Sequence, residues 1–166
     1  MQKRQQRMTV IVANPEVVAA KDKKSSAVAG LFTFTGMPKK ILFVCIENSN
    51  RSQMSQAFAK MLGGSSVKAF SAGSQPSGRI NQKAIVAMKE LGYDLKTHRS
   101  KTLDQVKEYA PFDAVVTMGC GDACPWMPAK QFIDWDIPDP KEMNEEEFRK
   151  VRDLIKEKVA TLLSTI

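Results

Sequence analysis

Apolar runs of strand type alternate with helical stripes along this chain from residue 40 onward. Lys40-Ile41-Leu42-Phe43-Val44-Cys45 is a short continuous apolar run, the signature of a strand buried on both faces. Residues 51–62 predict a helix, with Met54, Ala57, Phe58, Met61 and Leu62 at three- and four-residue spacing and Gly63-Gly64 as its stop. Residues 67–72 predict a second strand closed by Gly73. Residues 81–91 predict a second helix, capped by Asn81, with Ile85, Met88 and Leu91 on one face and Gly92 at its end. A short helix is expected over 102–109, a third strand over 112–118 and a short fourth strand over 132–135. Residues 144–163 form the last predicted helix. Phe148, Val151, Leu154, Ile155, Val159, Leu162 and Leu163 make its stripe, and Glu145-Glu146-Glu147 suit the positive end of its dipole.

This alternation implies an α/β fold: a single domain over residues 39–166 with a four-stranded parallel sheet and helices on both faces. Ligands of such sheets bind beyond the carboxyl ends of the strands. The motifs described below all fall at those ends. The chain has 166 residues, enough for one ordinary domain.

Residues 1–38 read differently. They open on the basic run Met1-Gln2-Lys3-Arg4-Gln5-Gln6-Arg7, followed by an apolar stretch that Asn14, Pro15 and Glu16 interrupt. A basic, disordered N-terminal extension is the expectation, and a translation start at Met37 reads equally well, since Met37-Pro38 directly precedes the first strand. A targeting segment is the competing reading, weakened by that interruption.

Charge sharpens the picture. The formal net charge is +7, but residues 1–40 hold eight Lys/Arg against two acids, and the other 126 residues hold 17 against 16. The body is therefore almost neutral, without the clustered cations and interleaved aromatics of a nucleic-acid face. No apolar run reaches the ~18–20 residues of a membrane span. Three cysteines cannot all pair within one chain, which argues against a disulfide-stapled secreted scaffold and for free thiols in the cytoplasm.

The segment Cys45-Ile46-Glu47-Asn48-Ser49-Asn50-Arg51-Ser52 carries the chemistry. A cysteine ends a strand, and six residues later an arginine opens a helix. Five intervening residues let the chain curl into a cradle whose backbone N–H groups point inward, and the helix N-terminus adds positive potential. Arg51 offers a planar fork to two oxygens of a tetrahedral oxyanion. That field favours the thiolate of Cys45, the nucleophilic form. Ser52 is placed to hydrogen-bond that sulfur, and Asn48 to brace the loop.

With this loop, Ser71-Ala72-Gly73 after the second strand and Asp139-Pro140 before the last helix, residues 39–166 resemble the low-molecular-weight protein tyrosine phosphatase superfamily. The resemblance implies that Asp139 is the general acid, ahead of its neighbours Asp122, Asp134 and Asp136. The chain departs from the family pattern at two places. Glu47 stands where many members carry glycine, and Lys141 follows Asp139-Pro140 where many phosphatases carry tyrosine.

A second thiol segment, Gly119-Cys120-Gly121-Asp122-Ala123-Cys124-Pro125, follows the third strand. In a turn of helix the two cysteines would have Cα atoms ~6 Å apart, within disulfide range. A phosphatase needs one thiol, whereas three on one rim suggest a redox relay. Here the chain resembles the three-cysteine, thioredoxin-coupled arsenate reductases built on the phosphatase fold. That resemblance implies reduction of arsenate to arsenite. Cys45 attacks arsenate, Cys120 attacks the Cys45 adduct, and Cys124 draws the oxidation into a Cys120–Cys124 bond for thioredoxin to reduce. Glutaredoxin or a small thiol remain open as donors. The alternative is a low-molecular-weight phosphatase acting on phosphate monoesters through a Cys45 phosphoenzyme, with Cys120 and Cys124 either inert or protective of Cys45. The resemblance further implies no tightly bound cofactor, a monomer, and a potassium ion near the loop, for which Asn48 and Ser71 match part of the site. A closed zinc site is not expected, because His98 is the only histidine; it reads as a structural or surface residue, not a catalytic one. Trp126 reads equally as partner contact or core.

Overall fold

β1 (Lys39–Cys45) takes the centre of the sheet because every side chain from Ile41 to Cys45 is buried. This computed structural model describes residues 36–121, 124 and 126–166. The basic extension and the targeting reading therefore lie almost wholly outside the described residues. The elements then run α1 (Arg51–Gly63), β2 (Val67–Gly73), α2 (Gln82–Lys89), β3 (Phe112–Met118), β4 (Ala129–Asp134) and α3 (Glu145–Thr165), with 3-10 turns at Gly64–Ser66, Leu95–Thr97 and Lys107–Tyr109. The strand order is β2-β1-β3-β4 and every pairing is parallel. The register aligns Cys45 with Gly73 on one side and Met118 on the other, so three strands stop at one edge.

Two apolar clusters sandwich the sheet. Met54, Ala57 and Phe58 of α1, Ala87 and Met88 of α2, and Phe148, Val151 and Ile155 of α3 pack with Ile41, Phe43 and Val116. The opposite cluster holds Leu42, Val44, Phe112 and Val115 under Leu103, Val106, Cys120 and Met127. Among the described residues the three α-helices thus cover one face, and turns cover the other. This corrects the expectation of helices on both faces.

The cause is visible at 102–109. Only Lys107–Tyr109 is helical there, as a 3-10 turn. Gly73 donates its N–H to Lys101 O at 2.8 Å and bridges in parallel to Thr102, which holds that backbone extended. Pro111 then disfavours helix at Ala110, so too few residues remain for an α-helix. The last helix keeps the predicted start: Asn144 Oδ1 accepts from Glu147 N, and the Glu147 carboxylate accepts from Asn144 N, a complete capping box. β4 begins three residues before the expected strand, because Ala129, Lys130 and Gln131 belong to a solvated edge and carry no apolar signal.

Candidate active site

The loop after β1 turns all its carbonyls outward. Cys45 O accepts from Ser74 N, Ile46 O from Gln75 N, Glu47 O from Ser77 N, Ser49 O from Asn81 N and Asn50 O from Met54 N. Asn48 O accepts from Gln53 Nε2 at 3.0 Å. In a trans peptide the N–H points opposite the carbonyl, so the N–H groups of residues 46–51 converge on the interior of the loop. Asn48 adopts φ +48° at the tightest point, a left-handed conformation asparagine tolerates better than most residues. Gly73 is required beside it, since a Cβ there would lie 2.6 Å from Ile46 O.

Cys45 sits at the floor of this cradle, 3% exposed. Its Sγ lies 3.0 Å from Ser52 Oγ, and Asn48 Nδ2 donates to that hydroxyl at 2.7 Å. With Asn48 donating to it, the Ser52 hydroxyl is free to direct its own proton at the sulfur, which stabilises a thiolate. Ser49, Asn50 and Arg51 are all buried in the rim.

Arg51 reaches across the sheet edge. Nη1 donates to Ile137 O at 3.1 Å, and Nη2 to Asp139 Oδ2 at 3.1 Å. The guanidinium lies against the backbone of Gly119, where a Cβ would approach Nη1 to 2.7 Å and φ is +70°. Sequence reasoning placed Asp139 here, and the structure brings it to Arg51. Asp134 instead accepts from Thr117 Oγ1, Asp136 is exposed, and Asp122 lies outside the described residues. A half-exposed carboxylate beside the cradle can deliver a proton to a leaving oxygen.

Behind the loop stands a bracket that sequence reasoning did not find. Gln53 Nε2 donates to Asn48 O, Asn48 Oδ1 and Arg99 O within 3.0 Å. This fixes its Oε1 as the acceptor for His98 Nδ1 at 2.9 Å, so His98 carries its proton on Nδ1 and accepts from Tyr93 OH on Nε2 at 2.8 Å. Burial, then the charges of Lys60 and Lys101, push His98 down to about 4, and the ring is neutral. The structural role expected for His98 is thus a specific one. The one signal in the sequence was a Gln four residues before Ala57, on the apolar side of the predicted helix.

Lys101 occupies the ground where a potassium ion was expected. Its N–H donates to Asn48 Oδ1 at 2.8 Å, and its Nζ lies 3.4 Å from Ser71 Oγ and 2.8 Å from Arg99 O. Burial, with Lys60 nearby, pushes the ammonium down to about 8. Ser71 donates to Gln56 Oε1 at 2.6 Å. Ser71 therefore already faces the Lys101 ammonium, Asn48 Oδ1 is taken up by the Lys101 backbone N–H and Gln53 Nε2, and a second cation beside the ammonium would be repelled. The residues present do not fit a potassium ion.

The remaining cysteines form a disulfide, Cys120–Cys124, with Cα atoms 5.6 Å apart, while Cys45 is free. Cys120 is two residues beyond Met118, the sheet partner of Cys45, and directly follows the glycine that touches Arg51. All three sulfurs belong to one sheet end. Cys120 is buried, Cys124 half-buried, and Trp126 is exposed, which decides against a core position. Among the described residues no cluster of three or more metal-binding side chains occurs, and no helix is long and apolar enough to cross a membrane.

Comparison with known proteins gives one consistent picture. Residues 40–166 match the family described as low molecular weight phosphotyrosine protein phosphatase. A relative from Synechocystis sp., named glutaredoxin arsenate reductase, is 38% identical over 133 residues, covering 77% of this chain and 98% of its own. A solved structure titled an arsenate reductase in the phosphate binding state superposes with a TM-score of 0.68 at 36% identity, over 77% of this chain and 98% of that one. A thioredoxin-dependent arsenate reductase from Corynebacterium glutamicum gives a TM-score of 0.65 at 32% identity, over 90% of this chain and 72% of its own.

Proposed function

The chain belongs to the low molecular weight phosphotyrosine protein phosphatase family, and from that membership we propose that it is an arsenate reductase. One observation carries this reading: a free Cys45 in an anion cradle shares its sheet end with a Cys120–Cys124 disulfide. Hydrolysis of a phosphate ester needs one thiol and would give that pair no part in its chemical steps.

Arsenate enters the cradle of residues 46–52 and takes the N–H groups and the Arg51 fork as donors. Its arrival displaces Asp139 from Arg51, leaving the carboxyl free to protonate the departing oxygen. The Cys45 thiolate, held by Ser52, attacks arsenic, and water leaves. Cys120 thiolate then attacks Cys45 Sγ. A sulfur–sulfur bond forms, the sulfur–arsenic bond breaks, and its electron pair stays on arsenic, which departs as arsenite. Cys124 attacks Cys120 and releases Cys45 as thiolate. The Cys120–Cys124 disulfide matches the end of this sequence. A thioredoxin-type donor returns two electrons and two protons. The resident charge of Lys101 serves where a free cation would otherwise sit. We take the protein to work as a monomer in the cytoplasm, where a reducing donor is present.

The test is one turnover. Fully reduced protein given arsenate should yield one arsenite per chain and a single Cys120–Cys124 disulfide by peptide mapping. Cys120→Ser should stop arsenite release, and Cys124→Ser should trap Cys45–Cys120. Turnover that survives both replacements overturns the relay and leaves phosphate-ester hydrolysis by Cys45, Arg51 and Asp139 as the function.

A further inference from the structure

Asp139 stands between Pro138 and Pro140, neither of which has a backbone N–H to give. The loop around it makes only short-range bonds of its own: Lys141 N donates to Asp139 Oδ1 at 3.2 Å, and Met143 N to Pro140 O at 3.1 Å. Three cationic side chains tie this loop to the cradle side of the molecule. Arg51 donates to Ile137 O and Asp139, and Lys141 reaches Glu47. The third is Lys83 of α2, whose Nζ donates to Met143 O at 2.6 Å and to Lys141 O at 3.3 Å.

These ties do not last equally through a reaction. An oxyanion in the cradle takes the Arg51 fork, so Asp139 loses that partner at the moment its carboxyl must stay in place. The Lys141–Glu47 pair is exposed, and water weakens it. Lys83 bonds to carbonyls that take no part in the chemistry, and its bond to Met143 is part-buried. Lys83 is in turn placed by the cradle itself. Asn81 N donates to Ser49 O at 3.2 Å, and Asn81 Oδ1 accepts from Lys83 N at 2.9 Å. The start of α2 thus joins a carbonyl of the anion loop to two carbonyls of the acid loop.

We propose that Lys83 is a positioning residue for the proton-transfer step: it holds residues 139–143 against the cradle, so that the Asp139 carboxyl released by Arg51 stays within reach of the leaving oxygen. This rests on Asp139 as the general acid and adds the group that keeps it there. Asp139 gives its proton to the leaving oxygen and is left as carboxylate; Lys83 transfers nothing and acts through geometry alone. A misplacement of about 1 Å is enough to slow such a step by one or two orders of magnitude.

The experiment compares the natural protein with Lys83→Met and Lys83→Arg. Lys83→Met should slow single-turnover arsenite release about tenfold. Inorganic phosphate, measured by calorimetry, should bind within about twofold of its natural affinity, because the cradle keeps its own bonds. Two phosphate esters separate acid placement from general damage. Phenyl phosphate needs a proton on its leaving oxygen, whereas p-nitrophenolate leaves readily without one. kcat/KM should therefore fall about tenfold for phenyl phosphate and no more than about threefold for p-nitrophenyl phosphate. Lys83→Arg, which also brings more than one donor, should keep most of the rate on both. On phenyl phosphate, Lys83→Met should add no loss to that of Asp139→Asn, since the lysine works only through that carboxyl.

An unchanged rate in Lys83→Met overturns the proposal. So do equal losses on the two esters, a loss of phosphate binding that matches the loss of rate, and an additive fall in the double variant. Should Lys83→Met fail to fold, the natural protein still decides: amide hydrogen exchange across residues 141–143 should be as slow with inorganic phosphate bound as without it, and faster exchange on binding overturns the brace. The expected pattern on the two esters in a protein that turns over no arsenate would sink the reductase reading and leave Lys83 in its role.

Discussion

Lys141 Nζ lies 2.6 Å from Glu47 Oε1, joining the two positions at which this chain departs from its family's pattern. The departures are therefore one feature. The hydrogen bond and charge of Glu47 raise the Lys141 ammonium above its ordinary value. The pair lines an open, polar hollow with Ser49, Arg79 and Asn81. A small oxyanion needs no stacking ring, whereas an aryl group meets a charged pair in its place.

Lys141→Tyr should therefore create a weak aryl platform. We expect a rise of about 2–10-fold in kcat/KM for p-nitrophenyl phosphate, the range an aromatic contact supplies, with arsenate turnover nearly unchanged. Steady-state hydrolysis of the two proteins side by side decides it. No gain would mean that Lys141 does not set specificity.

Asp139 pairs with Arg51 through one oxygen, and its other oxygen accepts from Lys141 N at 3.2 Å. Asp139→Asn keeps the shape and removes the proton. kcat for arsenate should fall ~10²–10⁴-fold with little change in KM, as for loss of a general acid. A matching loss in binding would assign the residue to anchoring Arg51 instead.

Lys101 stands in for a free cation. Exchange of potassium for sodium should leave the natural protein's activity unchanged. Lys101→Ala opens that space beside Ser71 and Asn48 and should lower activity several-fold, with partial recovery on added potassium. In the natural protein the ammonium loses its proton near pH 8, so the same loss should set in above that pH. A potassium response already present in the natural protein would contradict the assignment.

His98 links pH to stability. Its folded value of about 4 lies below the ordinary 6.5, so between these two the unfolded chain binds more protons. The contribution of this group is flat above about pH 6.5 and falls as pH drops towards 4. Urea midpoints for the natural protein and His98→Gln, taken across that window, should converge at the acid end. Curves that stay parallel would exclude the neutral bracket.

Asn144→Ala removes one half of the α3 capping box. It should cost about 1 kcal/mol in chemical denaturation and change turnover far less than Asp139→Asn, since its cap bonds are made with Glu147 alone.

Several features were legible in the chain alone, because local physics determines them. Apolar runs such as residues 41–45 have one stable use, as strands buried on both faces. The Asn144–Glu147 cap is written in four adjacent residues. A cysteine and an arginine bounding a strand-to-helix loop suggest an anion cradle, because the loop length and the helix start are both local features. The fold class and the thiols follow from such short-range rules. What only tertiary structure decided involves partners distant in sequence. Lys101 meets Ser71 across 30 residues, His98 meets Gln53 across 45, and Lys141 meets Glu47 across 94. The segment expected as a helix over 102–109 begins extended, because Gly73 pairs with Lys101 and Thr102, and keeps only a 3-10 turn at Lys107–Tyr109. Each outcome depends on groups that the assembled sheet brings together, in part-buried bonds between Gln53 and His98 and between Lys101 and Ser71, and in an exposed one between Lys141 and Glu47. The energy of such a pairing exists only in the folded molecule, and a linear pattern carries no trace of it.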